Sequence, residues 1–368
     1  MRLIDFGSRS GFQVPQANIG AMRLPKDIDE AVALIRHAID SGMRYIDTSR
    51  GYGDSEIKLG KALKNGYRQK VILSTKWSPW ILKVEPTDDA SADCVRKRLE
   101  ESMKRLDVEY LDYYQIWNID SPAHYAQATA RGGMLDGIRR AIDGKLVGHT
   151  GFTTHDTPEN IVRYVREADW CEIILFTYHL LNRRYAPAIA AAHDRGIGTI
   201  VMNPVGGGKL GEDSELFLKL AAEVDARNVP DLAMRYILSN PSVTTIVSGI
   251  SNRRDVDAAV AAAEAPRFTQ PQMAAIDAFL DRIGKEKDGF CTGCKYCMPC
   301  PQRIDIPAVM SCIHDHRFLG FRKTARERYR QIKDARADAC AQCGQCETKC
   351  TQKLKIVEEM EYAKRHLA

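Results

Sequence analysis

Hydrophobic and polar positions alternate along most of the chain in a way that separates short apolar segments from longer amphipathic ones. The apolar segments have the length of buried strands, and the segments between them repeat apolar residues every three or four positions, as helices do. The clearest helix has Asp27 and Glu30 placed as a capping box, Leu34 and Ile35 in its apolar stripe, and Gly42 at its end. Strands and helices are therefore predicted to alternate.

Eight strands are predicted, after a hairpin around residues 8–11. Their expected bounds are 17–21, 43–47, 71–76, 113–117, 146–152, 172–176, 198–202 and 245–247. The helices between and after them are expected at 27–41, from 56, at 91–106, 135–143, from 157, and at 185–194, 215–226, 231–239 and 253–264. Eight strand and helix units predict an α/β fold of the (β/α)8 TIM barrel type, because a doubly wound sheet usually has fewer strands.

The composition is that of an ordinary globular protein. With 368 residues, of which 44% are hydrophobic and 27% charged, the chain can bury one large core and a second small one. A net charge of +5 does not indicate nucleic acid, and no apolar run is long enough for a membrane span. The first residues, M-R-L-I-D-F-G, lack the apolar core of a signal peptide, so a cytoplasmic location is expected.

The eleven cysteines are distributed unevenly. Only Cys94 and Cys171 precede residue 291, and the other nine lie between Cys291 and Cys350. In a cytosolic chain such clustering favours metal binding over disulfides. The change in composition also predicts three parts: a barrel over 1–265, a linking helix over 266–288, and a small helical, ferredoxin-like iron–sulfur domain over 289–368.

Two cysteine runs read C-x2-C-x2-C-x2-C followed by proline and C-x2-C-x2-C-x3-C, and repeated C-x2-C spacing also holds the clusters of bacterial two-cluster ferredoxins. Such ferredoxins use the fourth cysteine of each run on the other cluster. Two 4Fe–4S clusters are therefore predicted, one held by Cys291, Cys294, Cys297 and Cys350 and the other by Cys340, Cys343, Cys346 and Cys300. Zinc is the alternative, although zinc sites normally use separated cysteine pairs. Cys94, Cys171 and Cys312 are interpreted as packing residues.

A basic segment lies between the two cysteine runs. Residues 317–336 contain eight Arg or Lys against Glu327 and Asp334. This pattern is typical of a solvated helical surface, and it also suits a docking face for an acidic redox partner such as a ferredoxin or flavodoxin.

Candidate catalytic residues lie in the stretch from Met43 to Glu56. Asp47 ends a predicted strand, Tyr52 follows in a polar loop, and Asp54 or Ser55 is expected to cap the next helix. Since catalytic groups in (β/α)8 barrels lie at the C-terminal ends of the strands, Asp47 and Tyr52 are predicted to form part of an active site.

Nearly all of residues 1–265 resemble the aldo-keto reductase family. The segments that carry the resemblance are Y-I-D-T-S-R-G-Y-G-D-S-E at 45–56, S-T-K at 74–76, G-K-L-V-G-H-T-G-F at 144–152, L-L-N-R at 180–183 and S-G-I-S-N at 248–252. With C-T-G-C-K-Y-C-M-P-C-P at 291–301, they resemble the iron–sulfur subgroup of that family. The resemblance implies hydride transfer from NADPH to a carbonyl, with Tyr52 as proton donor, Lys76 as the neighbouring cation and Asp47 as the acid paired with it.

Electrostatics gives these roles a physical basis. A tyrosine with a pKa near ~10 donates a proton poorly at neutral pH, so Lys76 is expected to lower the pKa of Tyr52, each unit being worth about 1.4 kcal/mol. Asp47 is expected to hold the ammonium in position. The alternative is a purely structural ion pair at the barrel mouth.

One catalytic residue of the family is missing. Where the family has a histidine at the end of the fourth strand, this chain has Trp117, followed by Asn118. Trp117 is expected either to stack on a substrate or to fill the pocket with Trp77 and Trp80. Asn118 or His155 is the candidate for orienting the carbonyl; simple packing is the alternative.

The nucleotide contacts implied by the resemblance are altered as well. Thr153 and Thr154 follow a strand where the family has a serine first, Leu175 replaces a glutamine that binds the carboxamide, and Met202 replaces a stacking tyrosine. The loops 203–209 and 248–254 still offer N–H groups and cations to phosphate. The expected contacts are Thr153, Thr154, Met202, Asn203, Gly206, Gly207, Lys209, Ser248, Gly249, Ser251, Asn252 and Arg254.

The function predicted from these residues is interconversion of a carbonyl and an alcohol on a small organic substrate, with NADP(H) as hydride carrier and the clusters serving electron transfer. Clusters move single electrons and nicotinamide moves hydride, so direct coupling needs a flavin or a similar converter. Three alternatives stay open: structural clusters, a nicotinamide-independent reductase fed by the clusters or by a bound flavin, and a non-catalytic electron-transfer subunit.

Overall fold

Eight parallel strands form a closed barrel in the computed structural model, which describes residues 1–285, 291 and 293–368. The strands are β1 Leu3–Asp5, β2 Gln13–Pro15, β3 Ala17–Gly20, β4 Tyr45–Asp47, β5 Ile72–Trp77, β6 Leu111–Ile119, β7 Val147–Thr154, β8 Ile173–Thr177, β9 Gly198–Met202 and β10 Thr245–Gly249. From β3 onward each strand pairs with the next, and β10 closes on β3. The predicted (β/α)8 barrel is confirmed.

Helices follow the barrel strands and continue into the C-terminal part of the chain. They are α1 Ile28–Asp40, α2 Ser55–Ala62, α3 Ala92–Leu106, α4 Pro122–Thr129, α5 Met134–Asp143, α6 Pro158–Glu167, α7 Ala186–Asp194, α8 Glu215–Glu223, α9 Val229–Leu238, α10 Arg253–Glu264, α11 Gln270–Lys285, α12 Ile306–Arg317, α13 Arg322–Arg330, α14 Gln345–Thr348 and α15 Ile356–His366. No helix in the described ranges combines the length and apolarity that a membrane span requires.

Helix caps account for several of these boundaries. Asp27 caps α1 by accepting a hydrogen bond from the Glu30 N–H at 2.9 Å, as predicted. The prediction was wrong at α2: Asp54 precedes the helix but caps nothing, because its carboxylate accepts from Lys58 at 2.8 Å. Helix α4 was not predicted, since it buries only Tyr125 and Ala128 and so lacks a clear apolar stripe.

The N-terminal hairpin closes one end of the barrel. Strands β1 and β2 pair antiparallel, and Phe6 and Val14 are fully buried in a cluster with Tyr45 and Tyr113 from inside the barrel. The Phe6 ring packs edge-on against Tyr45, with 5.1 Å between ring centroids. Because this hairpin fills the end where the strands begin, the end where they finish is the one available for a site.

The described residues form two compact units. One contains Met1–Pro204 and Met234–Arg267, and the other contains Val205–Ala233 and Phe268–Ala368. The predicted domain boundaries stay a prediction: α11 lies within the expected linking helix, and the boundary at 288–289 falls outside the described residues.

Residues 205–233 are held in the second unit by specific contacts. The Glu212 carboxylate accepts hydrogen bonds from the N–H groups of Lys323 and Thr324, at 2.8 and 2.9 Å, and so caps the first turn of α13. The Phe217 and Phe321 rings stack with centroids 5.3 Å apart. The glycine-rich loop after β9 is therefore anchored to the part of the chain that carries the cysteines.

Candidate active site

A buried ion pair lies at the C-terminal ends of β4 and β5. The Lys76 ammonium donates to Asp47 Oδ2 at 2.5 Å and to the Thr48 carbonyl at 2.9 Å. Only 4% of Asp47 and 1% of Lys76 are exposed. Neighbouring parallel strands bring the two side chains together, since Asp47 ends β4 and pairs in register with Ser74, two residues before Lys76.

Tyr52 lies beside this pair in the loop between β4 and α2. A turn fixes its backbone: its N–H donates to the Ser49 carbonyl, and its own carbonyl accepts from Ser55. The Lys76 ammonium is 4.8 Å from the centroid of the half-buried Tyr52 ring. The three residues predicted for acid–base chemistry are thus adjacent.

The electrostatics of this group differs from the prediction. Burial raises the pKa of Tyr52, the charge of Lys76 offsets only part of that rise, and the Asp47 anion adds to it. Lys76 lowers the Tyr52 pKa as expected, but burial, which the expectation left out, outweighs it and makes the net shift upward. Burial alone would lower the pKa of Lys76, but Asp47 and Tyr52 outweigh burial and raise it, so the ammonium stays charged.

Gln115 also contacts the ion pair, through Asp47. This residue was not predicted from the sequence. Its amide nitrogen lies 2.6 Å from Ser74 Oγ, 3.4 Å from Asp47 Oδ1 and 3.2 Å from Tyr45 Oη. The available signal was its position in the predicted strand 113–117, two residues before Trp117, because alternate residues of a regular strand share one face.

Trp117 packs directly against Tyr52. Their ring centroids are 5.5 Å apart and the rings are nearly perpendicular, at 87°. Its expected neighbours behave differently. Trp77 is fully buried and donates its indole N–H to the Leu82 carbonyl, and Trp80 donates to the carbonyl oxygens of Trp117 and Asn118.

Asn118 and His155, the candidates for orienting a carbonyl, are both held by neighbours. The Asn118 side chain donates to Asp120 at 3.1 Å. His155 Nδ1 lies 3.1 Å from the Thr177 hydroxyl. Burial lowers the pKa of His155, opposed by Asp120, so the imidazole is neutral at neutral pH.

The hydroxyls expected at a nicotinamide ring are engaged within the barrel. Thr153 Oγ1 accepts a hydrogen bond from the Asn118 N–H at 2.7 Å, and Thr154 Oγ1 donates to the Ile119 carbonyl at 2.7 Å. Leu175 is buried in the barrel core, with the half-buried Met202 packed against the same cluster. Thr154 has used its O–H donor and Leu175 has no polar group, whereas the buried Thr153 hydroxyl accepts one bond and keeps its own O–H donor.

Residues after β10 suit phosphate better. The Ser248 hydroxyl is buried without a hydrogen-bond partner in the described structure. Asn252 caps α10, and exposed Arg254 follows on the first turn, with no ion pair to any described residue. Ser251 is less available, because Asp255 accepts from its N–H and hydroxyl at 2.8 and 2.7 Å. Gly249 ends β10 beside these groups.

The glycine-rich loop after β9 belongs to the second unit, where its lysine already has a partner. Lys209 Nζ is 2.6 Å from Asp315 Oδ2, and Arg328 contacts the same carboxylate. Burial raises the pKa of Asp315, but His314, Lys209 and Arg328 outweigh burial and lower it. Nothing in the sequence pattern signals this carboxylate.

Each set of four predicted cluster cysteines lines a cavity of its own. Cys291, Cys294, Cys297 and Cys350 line one cavity together with Ile306 and Met310. Cys300, Cys340, Cys343 and Cys346 line the other, which Cys297 also reaches. Four thiols around each of two apolar cavities are a donor set that fits two 4Fe–4S clusters, divided as the crossed ligation predicts.

The remaining cysteines and the basic segment are engaged in local contacts. Cys171 and Cys312 are buried, and Cys94 donates to Asp88 at 3.4 Å. In the basic segment Arg317 pairs with Glu359 at 3.0 Å, and Arg328 pairs with Asp315. Part of the charge of this segment is therefore neutralised within its own unit.

A cavity of about 1120 Å³ lies at the opposite end of the barrel, beside the hairpin. Asp47, Tyr52 and Lys76 do not line it. Two of its cations, Lys64 and Arg68, are paired with Asp107 and Asp112. This cavity therefore does not mark the catalytic end.

Comparison with known proteins matches both parts of the chain. Residues 17–281 match the aldo/keto reductase family, and residues 290–355 match a 4Fe-4S dicluster domain. L-galactose dehydrogenase of Arabidopsis thaliana is 26% identical over 74% of this chain and 93% of its own. The holo form of aldo-keto reductase AKR11C1 from Bacillus halodurans superposes with a TM-score of 0.65 at 25% identity, covering 76% of this chain and 96% of that one. This chain belongs to the aldo/keto reductase family of oxidoreductases and carries a C-terminal 4Fe–4S dicluster domain.

Proposed function

We propose that the barrel interconverts a carbonyl and an alcohol on a small organic substrate, with Tyr52 as the proton donor and acceptor. The observation that carries this proposal is the arrangement of Tyr52 against the buried pair of Lys76 and Asp47. In the reducing direction a hydride adds to the carbonyl carbon, and the Tyr52 proton passes to the oxygen, which yields the alcohol and a phenolate.

Each of the three residues has a distinct task in that step. Tyr52 stays protonated at neutral pH because burial raises its pKa. The Lys76 cation stabilises the phenolate left behind, which lowers the barrier to proton transfer. Asp47 holds the ammonium in place and keeps it charged.

NADP(H), when bound, would supply or take up the hydride. Its phosphate end suits Ser248, Asn252 and Arg254, because a buried unpaired hydroxyl, a helix N-terminus and a cation with no ion pair in the described chain meet there. Asn203, Gly206, Gly207 and Lys209 stay predicted contacts, and so do Thr153, Thr154, Met202, Gly249 and Ser251.

A specific observation favours a second candidate, a reductase that receives electrons from the clusters or a bound flavin instead of nicotinamide. The hydroxyls of Thr153 and Thr154 are bonded to the neighbouring strand, and Leu175 offers no amide. The carboxamide of a nicotinamide ring would then lack the side-chain amide that Leu175 replaces, although the substrate and the role of Tyr52 would be the same.

The two clusters are proposed to exchange electrons with a one-electron carrier of the ferredoxin or flavodoxin type. Cys294 is exposed, so the first cluster would lie at the surface, where tunnelling to a partner is efficient. Next to it Tyr296 has 65% of its surface exposed.

An anaerobic assay of protein with intact clusters tests these proposals. NADPH and then reduced ferredoxin are offered as electron source with 4-nitrobenzaldehyde as the carbonyl probe, and the alcohol product is measured. Tyr52→Phe should lower the rate by about 100-fold or more, whereas the matched Tyr67→Phe, at a surface tyrosine bonded to Asp40, should leave it unchanged. Equal rates for the two variants would refute the role of Tyr52, and turnover with ferredoxin alone would favour the second candidate.

A further inference from the structure

We propose that the indole N–H of Trp117 donates a hydrogen bond to the substrate carbonyl oxygen, next to the Tyr52 hydroxyl. This inference rests on the proposed carbonyl chemistry and assigns a second group to it. Trp117 then acts as a fixed hydrogen-bond donor near the end of β6, at the position where the family resemblance implies a histidine.

The strand carrying Trp117 is irregular at that residue. The pairing of β6 with β7 shifts register between Ile116 and Ile119. Asn118, within the shift, has a left-handed backbone with φ of 60°. Bulges of this kind change the direction of one side chain relative to the rest of the strand, and they are common beside active sites. The irregular backbone therefore changes the direction of the Trp117 side chain relative to a regular strand.

Three neighbouring groups hold the irregular backbone in place. The Trp117 carbonyl accepts from Ser78 Oγ at 2.6 Å and from Trp80 Nε1 at 3.1 Å. The Asn118 N–H donates to Thr153 Oγ1 at 2.7 Å. The segment after β5 and strand β7 therefore fix the backbone at Trp117 from both sides, and a positioned donor loses little entropy when it binds.

The orientation of the ring follows from its contact with Gly51. A Cβ added to Gly51 would lie 2.4 Å from Cζ3 and 2.5 Å from Cη2 of Trp117. These two carbons are at the end of the indole farthest from the N–H. The apolar end of the ring thus occupies the space above Gly51, and the opposite edge carries the N–H.

The N–H of Trp117 is available. Within the described chain it has no hydrogen-bond partner, unlike the indole N–H groups of Trp77 and Trp80, which donate to backbone carbonyls. Trp117 is half-buried and its ring is packed on Tyr52. Because the two rings are in contact, a carbonyl oxygen bound at the Tyr52 hydroxyl is, in the proposed arrangement, within reach of this N–H.

The chemistry of an indole differs from that of an imidazole in a useful way. Indole is a donor only and does not titrate in the physiological range. It can stabilise negative charge developing on the oxygen, as other fixed N–H donors do, but it cannot supply a proton. Tyr52 then remains the proton donor, and the rate should show no titration near the ordinary histidine pKa of about 6.5 from this position.

Two variants separate the hydrogen bond from the aromatic wall. Trp117→Phe keeps an aromatic ring and removes the donor, and Trp117→His restores a donor. With 4-nitrobenzaldehyde and whichever electron source the wild type uses, Trp117→Phe should lower kcat by about 10-fold to 100-fold with little change in KM. Trp117→His should recover most of that loss. A Trp117→Phe variant as fast as wild type, or no recovery with histidine, would overturn the inference.

A spectroscopic measurement tests the bond without turnover. In the Tyr52→Phe background, the infrared stretch of ¹³C-carbonyl benzaldehyde bound to the protein should lie at lower frequency with Trp117 than with Trp117→Phe. Identical frequencies would overturn the hydrogen bond. A clear shift in a protein that reduces no aldehyde would instead overturn the proposed reaction and leave the hydrogen bond standing. Circular dichroism of each variant checks that the barrel is folded.

Discussion

At the scale of single residues, the balance between burial and charge at Tyr52 determines how the proposed reaction depends on pH. The pKa of Tyr52 is raised by burial and by Asp47 and lowered in part by Lys76. A phenol with a raised pKa stays protonated through the neutral range, so the rate of carbonyl reduction should be flat there. It should fall only as the pH rises through the Tyr52 pKa.

Substitution of the two charged neighbours should move that fall in opposite directions. Lys76→Met removes the cation that lowers the Tyr52 pKa, so the descending limb should move to higher pH while the maximal rate drops. Asp47→Asn removes an anion that raises the pKa, so the limb should move to lower pH. The measurement is kcat against pH, with surface Lys70→Met as control. Movement of both limbs in the same direction would contradict the assignment.

Gly51 provides a second test at the residue scale. A methyl group there would collide with the Trp117 ring, at 2.4 Å from its nearest carbon. Because the ring is half-buried, we expect it to shift outward, so Gly51→Ala should change the free energy of unfolding by no more than about 1 kcal/mol. It should nevertheless lower kcat about as much as Trp117→Phe does. Full activity in a folded Gly51→Ala protein would show that the ring position is unimportant.

At the scale of elements, the strands and helices of the barrel were predictable because their periodicity is strong and their caps are local. Helix α4 was not predicted because few of its residues are buried. The predicted side-chain cap of α2 is absent because the Asp54 carboxylate accepts a hydrogen bond from Lys58 instead. In the candidate active site, Asp47 and Tyr52 followed from a strand end and the loop after it, whereas Lys76 followed from the family resemblance. Gln115 and Asp315 did not, since their partners come from segments distant in sequence.

The glycine-rich loop and α12 are joined by one such contact, the Lys209 and Asp315 ion pair. Asp315 is 2% exposed and also accepts from Arg328, so Asp315→Asn leaves two cations without their anion. We expect a loss of roughly 2 kcal/mol in the free energy of unfolding. We also expect tighter NADPH binding, because Lys209 becomes free for phosphate. Calorimetry and a fluorescence titration measure the two effects.

A double variant decides whether the tighter binding comes from Lys209. Asp315→Asn combined with Lys209→Met should bind NADPH no better than Lys209→Met alone. If the gain in affinity persists without the lysine, or if Asp315→Asn weakens binding, then Asp315 does not restrain this cation.

The cysteine runs allow a matched test of cluster ligation. Cys346 lines the second cavity, whereas Cys312 is buried in the adjacent core. Cys346→Ser should reduce the iron content from about eight to about four per chain, with a corresponding loss of visible absorbance. Cys312→Ser should retain both clusters. Loss of all iron from Cys346→Ser, or none, would contradict two separate clusters with the proposed ligands.

At the scale of the whole molecule, two surfaces compete as the docking face for an electron carrier. The basic segment 317–336 was one hypothesis from the sequence, but Arg317 and Arg328 form ion pairs within the second unit. Around the first cluster cavity, Lys295 and Lys353 are exposed, and Cys294 Sγ lies 3.8 Å from Thr351 Oγ1, which brings their two loops side by side. These lysines make no ion pair with any described residue.

Charge reversal should distinguish the two surfaces. An acidic ferredoxin would approach exposed lysines through long-range attraction, which weakens as salt screens it. Lys295→Glu with Lys353→Glu should slow cluster reduction by reduced ferredoxin about 10-fold at low salt and should remove most of its salt dependence. Arg330→Glu with Lys333→Glu, a matched reversal of exposed residues in the basic segment, should have little effect. The rate is measured by stopped flow. If reversal at Arg330 and Lys333 slows cluster reduction and reversal at Lys295 and Lys353 does not, the carrier docks on the basic segment.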